Sequence, residues 1–188
     1  MNLDDITQLT LQYGAGWAVA HAQRLLKLIE LIGVDLEYDR QLLTYAAYLH
    51  DWGAFPKFQQ PGVEHAIRSR QVAESHILSQ TDLTQPEIEL VLDAIEKHDY
   101  RDQRSTCSNE ALLLREADCL EFLGAIGIAR EFARGPKDLR KCYERVRDRQ
   151  AGLRNRLTLP KAKAIAEQRL SEMDQFLNLL DEESFGYL

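Results

Sequence analysis

Residues 42–53 read LLTYAAYLHDWG, and this stretch decides the fold that the sequence predicts. Apolar residues precede His50 by seven, four and three positions, which is the spacing of one face of a helix. His50 is therefore predicted to point into the core with them. Gly53 indicates that the helix ends just after Asp51. Because adjacent helical residues diverge by about 100°, His50 and Asp51 reach one ion together only near such an end.

Polar side chains interrupt the apolar stripes of three further predicted helices. His21, His98 and Asp118 each stand where the helical period places an apolar residue. Their neighbours on these stripes are Trp17 and Leu25, then Val91, Ala94 and Ile95, and last Ala111, Leu114, Phe122 and Ala125. A carboxylate directed into an apolar core is costly unless it is paired or bound to a cation. This pattern favours convergence on a divalent ion such as Mn, Fe, Co, Ni or Zn.

The order of these residues is more informative than any one of them. A single histidine on an apolar face is more often a hydrogen-bonded core residue than a metal ligand. Four of the five histidines nevertheless fall into one series with two aspartates: His21, His50-Asp51, His65, His98 and Asp118. The fifth, His76, is predicted to be a partly exposed helix residue without a functional role.

Helical periodicity continues through almost the whole chain, and the sequence shows no strand pattern. We predict an all-α, single-domain protein over residues 1–188. Its motif-bearing core covers about 17–134, and C-terminal helices at 137–183 pack on that core. The predicted helices cover about 17–32, 40–50, 64–78, 84–97, 109–123, 126–133, 137–152 and 160–183.

Local signals mark several helix boundaries. Gly14 and Gly16 predict either the start of the first helix or a kink before it. Thr84-Gln-Pro-Glu87 resembles a capping box with proline in the first turn. Pro136 is predicted to separate the sixth helix from the seventh.

Composition and charge restrict the class of protein. The chain has 188 residues, 45% hydrophobic residues and a net charge of -7, unlike a general nucleic-acid binder. It has no run of about 18 apolar residues, and its N-terminus does not resemble a signal peptide. Three widely spaced cysteines fit a reducing compartment. We expect a cytoplasmic protein with no membrane segment and no stable nucleic-acid complex, and the sequence leaves its oligomeric state open.

The charge is unevenly distributed along the chain. Residues 134–163 contain eleven Lys or Arg and three acidic residues, which gives this basic segment a net charge of about +8. Two interpretations stay open. The segment is either a solvated helix surface or a rim that attracts an anionic substrate.

The ordered series resembles the HD-domain superfamily of metal-dependent phosphohydrolases, which is named for its consecutive His-Asp. The family pattern of a histidine, then His-Asp, then a distant aspartate matches His21, His50, Asp51 and Asp118. The surrounding text is similar too: YAAYLHDWG at 45–53, GVEHAIRSRQVAE at 62–74, VLDAIEKHD at 91–99 and LREADCLEFLGAIGIAR at 114–130. The last of these resembles the aspartate helix of a bacterial branch of predicted hydrolases. The resemblance covers about residues 17–134.

One departure from the family pattern follows the His-Asp. Many members have Ile-Gly and then a charged residue, whereas this chain has WGAF at 52–55. The Lys or Asp that stands near the metal in some members is therefore missing at position 54. Lys57 is the candidate substitute.

The resemblance implies a hydrolase of the phosphatase or phosphodiesterase type. One divalent ion (Mn, Fe, Co, Ni, Mg or Zn) would be held by His21, His50, Asp51 and Asp118. A metal-bound water would then attack a phosphomonoester or phosphodiester. The implied substrate is a nucleotide or another small phosphorylated metabolite.

The remaining residues of the series have more than one implied role. His65 and His98 would contact the substrate phosphate or protonate the leaving oxygen, or they would bind a second ion that Asp51 bridges. Glu64 adjoins His65 and is a candidate for proton transfer. Three arginines close to these histidines either bind phosphate or are surface charges: Arg68, Arg70 and Arg101.

Two other classes of function fit the same residues. Some superfamily members with a His, His-Asp, His, His, Asp set are dinuclear iron oxygenases, and this chain has that order. A non-catalytic nucleotide-binding module would also use the pocket. Loss of a ligand residue would favour this class, but every ligand residue of the pattern is present. Iron content with oxygen uptake identifies the oxygenase, and release of phosphate from nucleotides or generic esters identifies the hydrolase.

Overall fold

The computed structural model describes residues 1–135 and 137–188, and every regular element within them is helical. The α-helices are α1 (Leu3–Ile32), α2 (Arg40–Leu49), α3 (His65–Val72), α4 (Gln85–Glu96), α5 (Asn109–Glu121), α6 (Gly124–Arg134), α7 (Leu139–Leu153) and α8 (Pro160–Glu183). Short 3₁₀ turns cover Trp52–Ala54 and Leu78–Gln80, and a π turn covers Ala73–Ile77. The all-α prediction is confirmed. The boundary predicted at Pro136 lies outside the described residues.

The chain divides into two compact units, Met1–Ala117 and Asp118–Leu188. In the first unit, α2 packs on α1 and α4, and α3 packs on α4 and on the 3₁₀ turn that follows α2. In the second unit, α6 packs on α7 and α8. The single-domain organisation stays a prediction. Of the helices in the described residues, none combines the length and the apolar character needed to cross a membrane.

Helix α1 begins earlier than predicted and is kinked where the glycines stand. Asn2 caps its N-terminus by accepting a hydrogen bond from the Asp5 amide at 2.9 Å. Ala15 has φ 58° and ψ -176°, which interrupts the helical backbone between Gly14 and Gly16. The predicted kink is confirmed, but the helix starts at Leu3, because this polar cap supports a further stretch of helix before the kink.

The turn after α2 is held from two sides. Trp52 is buried, and its indole N–H donates to the Thr10 hydroxyl of α1 at 3.1 Å. The amide of Gly53 donates to the Ser69 hydroxyl of α3 at 2.8 Å. A Cβ at position 53 would lie 2.3 Å from the carbonyl oxygen of His65, so only glycine fits here. These contacts fix the end of α2 against the start of α3.

Of two further helices predicted in the first unit, α4 begins as predicted and α3 ends earlier than predicted. At the start of α4 the Glu87 carboxylate accepts hydrogen bonds from the backbone N–H and the hydroxyl of Thr84, both at 2.7 Å, so the predicted capping box is confirmed. The helix predicted over 64–78 is α-helical only as far as Val72. A π turn follows it, in which an extra residue widens the backbone spiral.

Candidate metal centre

Four helices of the first unit bring four histidines together. His21 lies within α1, His50 directly follows α2, His65 begins α3 and His98 lies two residues after the end of α4. The Nε2 atoms of His21 and His50 are 3.2 Å apart, and those of His65 and His98 are 3.1 Å apart. His21, His50 and His98 are each 1% exposed, whereas the His65 side chain is 26% exposed. The histidines therefore form two close pairs, and one member of the second pair reaches solvent.

The carboxylate of Asp51 lies between the two pairs. Its Oδ2 atom is 3.7 Å from Nε2 of His21 and 3.5 Å from Nε2 of His50. Its Oδ1 atom is 3.8 Å from Nε2 of His65 and 3.9 Å from Nε2 of His98. One oxygen of a single carboxylate thus faces each histidine pair, which is the arrangement of a bridging ligand.

Hydrogen bonds to the outer ring nitrogens fix the orientation of three imidazoles. Nδ1 of His50 lies 2.9 Å from the carbonyl oxygen of Ala47, and Nδ1 of His98 lies 2.6 Å from that of Ile95. Nδ1 of His65 contacts the Glu64 carboxylate. A carbonyl or an ionised carboxylate only accepts hydrogen bonds, so each of these Nδ1 atoms carries the proton. The neutral rings therefore direct the lone pair of Nε2 into the centre, as metal-ligating histidines do.

The spacing of these nitrogens fits a divalent ion. His65 and His98 direct two Nε2 lone pairs at each other across 3.1 Å, which is unfavourable unless a cation or a proton lies between them. Two ligand atoms that each lie about 2.1 Å from one ion are roughly 3.0 to 3.4 Å apart for the usual bond angles. Both histidine pairs meet this condition, and Asp51 adds an oxygen to each.

Charge in the centre stabilises the ionised form of Asp51. Burial raises the pKa of this carboxyl group, but the positive charge that His50, His21, His98 and His65 carry when they are protonated outweighs burial. The pKa of Asp51 is consequently held well below its usual value. The carboxylate is ionised at neutral pH and available as a ligand.

The sequence matches the HD domain family model over residues 19–123, which is more than half of the chain. The chain belongs to the HD-domain family. This span contains the two histidine pairs, Asp51 and Asp118. Membership confirms the resemblance carried by the ordered His and Asp series. No curated protein matches the chain.

Solved structures share this HD-domain fold at low sequence identity. YpgQ of Bacillus subtilis has a TM-score of 0.72 and 22% identity, with 96% of this chain and 94% of YpgQ covered. A predicted HD superfamily hydrolase from an uncultured Thermotogales bacterium has a TM-score of 0.66 and 23% identity, with 96% and 90% covered. A structure of YpgQ in complex with ADP gives a TM-score of 0.71 and 22% identity, with 96% and 94% covered.

Asp99 is a further acidic residue of this HD-domain centre that was not among the predicted site residues. Its Oδ2 atom is 3.6 Å from Nε2 of His65, and its carboxylate pairs with the Arg101 guanidinium, which is also 3.5 Å from Glu64. Burial raises the pKa of Asp99, but hydrogen bonds and charge from Arg101 outweigh it and hold that pKa at about 2. The available signal was a second buried His-Asp pair after a helix, His98-Asp99, which repeats the pattern of His50-Asp51.

The three arginines predicted to bind phosphate all contact protein groups. Arg101 pairs with Asp99, as described. Arg68 donates to the carbonyl oxygen of Phe58 at 2.7 Å, and Arg70 pairs with Glu89 at 3.0 Å. A phosphate at any of them would compete with these partners, so their role in substrate binding stays a prediction.

The remaining residues singled out in the sequence are not members of the two histidine pairs. Asp118 is buried on α5 in the second unit, and its role as a fourth metal ligand stays a prediction. Lys57, the candidate substitute near the metal, places its ammonium 3.8 Å from the centre of the Tyr13 ring. His76 is exposed in the π turn, as predicted. Trp17, predicted to share the apolar face of α1, stacks on the His21 ring of that face but is 46% exposed.

Part of the basic segment forms ion pairs within the second unit. Glu131 of α6 is 3% exposed, and its carboxylate lies 3.0 Å from both Arg145 and Arg149 of α7. Arg154 lies 3.9 Å from the Asp174 carboxylate. These contacts give some of the positive charges a structural role, and attraction of an anionic substrate by the segment stays a prediction.

Proposed function

We propose that this HD-domain protein is a metal-dependent phosphohydrolase acting on a small phosphorylated substrate. The observation that carries the proposal is the Asp51 carboxylate, with one oxygen facing each of two histidine pairs. His21, His50 and Asp51 would hold the first ion, with Asp118 as the fourth ligand. His65, His98 and the other oxygen of Asp51 would hold a second ion.

Each group of the centre has a definable task in phosphoester hydrolysis. A bound divalent ion neutralises phosphate charge and lowers the pKa of water. The ionised Asp51 carboxylate would orient an attacking water by accepting its hydrogen bond. The negative charge of the phosphate would be neutralised chiefly by the ions, because Arg101 already pairs with Asp99.

His65 is the histidine best suited to proton transfer when a single ion is present. Its side chain is 26% exposed, and its Nδ1 is paired with the Glu64 carboxylate. This pairing holds the ring in one orientation. Once Nε2 of this imidazole has taken up a proton from solvent, the ring could donate that proton to the leaving oxygen of the ester.

A nucleotide is one of the substrates that this proposal includes. YpgQ, which has a similar fold, has a structure in complex with ADP. Because the two chains are 22% identical, this likeness supports only the inclusion of nucleotides among the first compounds to be assayed. Phosphomonoesters and phosphodiesters of small metabolites belong in the same panel.

The deciding experiment combines metal analysis with phosphate release. Elemental mass spectrometry on purified protein is expected to give one or two divalent ions per chain, and the loaded protein should release phosphate from a nucleotide or a generic ester. Asp51→Ala should lose most of the metal and at least a hundredfold in activity, because it removes oxygens facing both pairs. The matched control His76→Ala should behave like the wild type. Full activity in Asp51→Ala would refute the assignment.

A dinuclear iron oxygenase is the second candidate. The bridging position of Asp51 between two histidine pairs favours it as much as it favours a two-metal hydrolase. Two irons per chain, with oxygen uptake that depends on an organic substrate and no phosphate release, would replace the first proposal with this one. Redox-inert ions that support phosphate release would exclude the oxygenase.

A further inference from the structure

The Asp99 carboxylate lies beside the histidine pair that would hold the second ion. Its Oδ2 atom is 3.6 Å from Nε2 of His65, slightly closer than the Oδ1 atom of Asp51, which is 3.8 Å away. Nε2 of His98 lies 3.1 Å from the same His65 nitrogen. Asp99 is 7% exposed, so its carboxylate is almost wholly removed from water. One imidazole nitrogen and two carboxylate oxygens therefore surround Nε2 of His65.

This grouping of atoms is unfavourable without a cation. The Nδ1–H group of His65 contacts the Glu64 carboxylate, so Nε2 of the neutral ring offers only a lone pair. Its neighbours are also electron-rich, and a buried carboxylate is costly unless a cation pairs with it. Arg101 pairs with Asp99, but the Arg101 side chain is 62% exposed. An ion that displaced its guanidinium from Oδ2 would therefore leave no positive charge buried without a partner.

We infer that Asp99 is a further protein ligand of the second ion, which it binds through Oδ2. The inference rests on the proposed function, since it adds a ligand to the second ion site proposed there. Two ligand atoms about 2.1 Å from one ion are about 3.4 Å apart at a tetrahedral angle. The Oδ2 atom and Nε2 of His65 are 3.6 Å apart, so a shift of about 0.2 Å brings both within reach of one ion.

The other oxygen of Asp99 keeps the carboxylate in place during this exchange. Its Oδ1 atom accepts hydrogen bonds from the backbone N–H of Arg101 at 2.8 Å and from Nε of the same residue at 2.9 Å. Neither bond involves Oδ2. Asp99 can therefore bind an ion while the loop that carries it stays as it is.

The same local motif occurs three residues later without a histidine. Arg104 donates its backbone N–H and its Nε to Oδ1 of Asp102, at 2.8 Å and 3.1 Å. Among the described residues, the Asp102 carboxylate pairs with Arg104 and with no histidine. The motif explains how such a carboxylate is fixed, but not why that of Asp99 faces His65. Asp102 and Arg104 are consequently matched controls for Asp99 and Arg101.

A surface cavity of about 260 Å³ gives an ion access to Asp99. Four acidic residues and two arginines line it, so its charge is negative and favours cations. Both aspartates of the two motifs are among these residues. A metal site needs such an entry path.

Titration with Mn²⁺ tests the assignment without requiring turnover. Calorimetry on chelator-treated protein should give two ions per wild-type chain, each with its own Kd. Asp99→Asn should raise the Kd of the second ion about 100-fold or more, since loss of even an outer-shell partner costs about 10- to 100-fold. The Kd of the first ion should change by less than about threefold, which also shows that the variant is folded.

Asp102→Asn removes the same charge from the same cavity. It should raise the Kd of the second ion by less than about fivefold, because a charge that does not touch the ion acts through solvent. A rise in Asp99→Asn no larger than the rise in Asp102→Asn would overturn the inference.

Arg101→Met gives the opposite prediction and does not depend on the folding of Asp99→Asn. The variant keeps the Asp99 carboxylate and the backbone N–H that fixes it, but removes the guanidinium that competes for Oδ2. The Kd of the second ion should fall about fivefold or more, against less than about twofold in Arg104→Met. A pair that only stabilised the loop would weaken this site when either partner is removed, so a higher Kd in Arg101→Met contradicts the inference.

The same measurements separate the inference from the proposed function. One Mn²⁺ per wild-type chain, together with phosphate release, would leave a one-ion hydrolase and remove the role of Asp99. Two ions, the second dependent on Asp99, with no phosphate release from any ester and any candidate ion, would keep the ligand and refute the hydrolase.

Discussion

Ring orientation decides what the histidines of the centre can do. The carbonyl oxygens of Ala47 and Ile95 and the carboxylate of Glu64 each accept a hydrogen bond from the Nδ1–H group of one imidazole. Three Nε2 lone pairs consequently face the centre before any ion arrives. This preorganisation lowers the cost of binding a metal, because the rings need not turn or change tautomer.

Asp99 gives a prediction at the scale of a single residue. Its pKa is about 2 in the folded chain against an ordinary value of 3.8, so the ionised form stabilises the fold. The stabilisation, about 2 kcal/mol, should be present above pH 4 and should be lost as the pH falls from about 4 towards 2. In metal-free protein, Asp99→Asn should lower the free energy of unfolding at pH 6, and the difference from wild type should shrink as the pH falls through this range.

Urea unfolding at several pH values measures that difference. Asp82→Asn removes an exposed carboxylate of the same unit and is the control, with a difference from wild type close to zero throughout. A difference for Asp99→Asn that stays constant from pH 6 down to pH 3 would show that its ionisation does not stabilise the fold.

At the scale of elements, the centre depends on how the end of α2 meets the start of α3. His50 and Asp51 stand where α2 gives way to a 3₁₀ turn, and only there do adjacent side chains reach one centre. Gly53 lets this turn approach the backbone of α3, which carries His65. The relative position of Asp51 and His65 is therefore set by close backbone packing.

Gly53→Ala tests this packing. The added methyl group would lie 2.3 Å from the His65 carbonyl oxygen and 2.5 Å from the Ser69 nitrogen, so the backbone has to shift. We expect a loss of about 1–3 kcal/mol in the free energy of unfolding and a loss of about 10- to 100-fold in metal affinity. Denaturant unfolding and calorimetric metal titration measure the two effects.

Gly16→Ala is the matched control for Gly53→Ala. A Cβ at position 16 meets no atom within 4 Å, so this variant should retain wild-type stability and metal affinity. Metal affinity unchanged in Gly53→Ala would mean that the packing of the turn on α3 does not position Asp51.

At the scale of the whole molecule, metal binding and folding should be coupled. The centre collects ligands from four helices, so it exists only in the folded first unit. A ligand at about 100 times its Kd stabilises the folded state by about 2.7 kcal/mol. For a chain of this size, we expect the Tm to rise by about 5 to 10 °C on loading and to return to its starting value with a chelator.

Thermal unfolding of wild type and of Asp51→Ala, each with and without the ion, checks this coupling. The variant should show little or no rise in Tm. An equal rise in both proteins would place the stabilising ion elsewhere in the molecule.

The sequence alone determined the helical class and most of the members of the centre. Helical spacing placed His21, His50 and His98 on buried faces, and the structure confirms that burial. Periodicity carries this information because an apolar stripe has to face the core, so a polar residue on the stripe is buried with it. The His-Asp followed by glycine predicted the end of α2, since that local signal does not depend on distant contacts.

Tertiary structure decided the contacts that no sequence spacing encodes. It placed one Asp51 oxygen at each histidine pair and joined Asp99 to His65 and Arg101. It also exposed Trp17, which periodicity predicted to be on the apolar face. Periodicity reports which face of one helix is apolar, whereas distances between side chains on different helices depend on how the helices pack. The kink at Ala15 and the close approach at Gly53 belong to that packing.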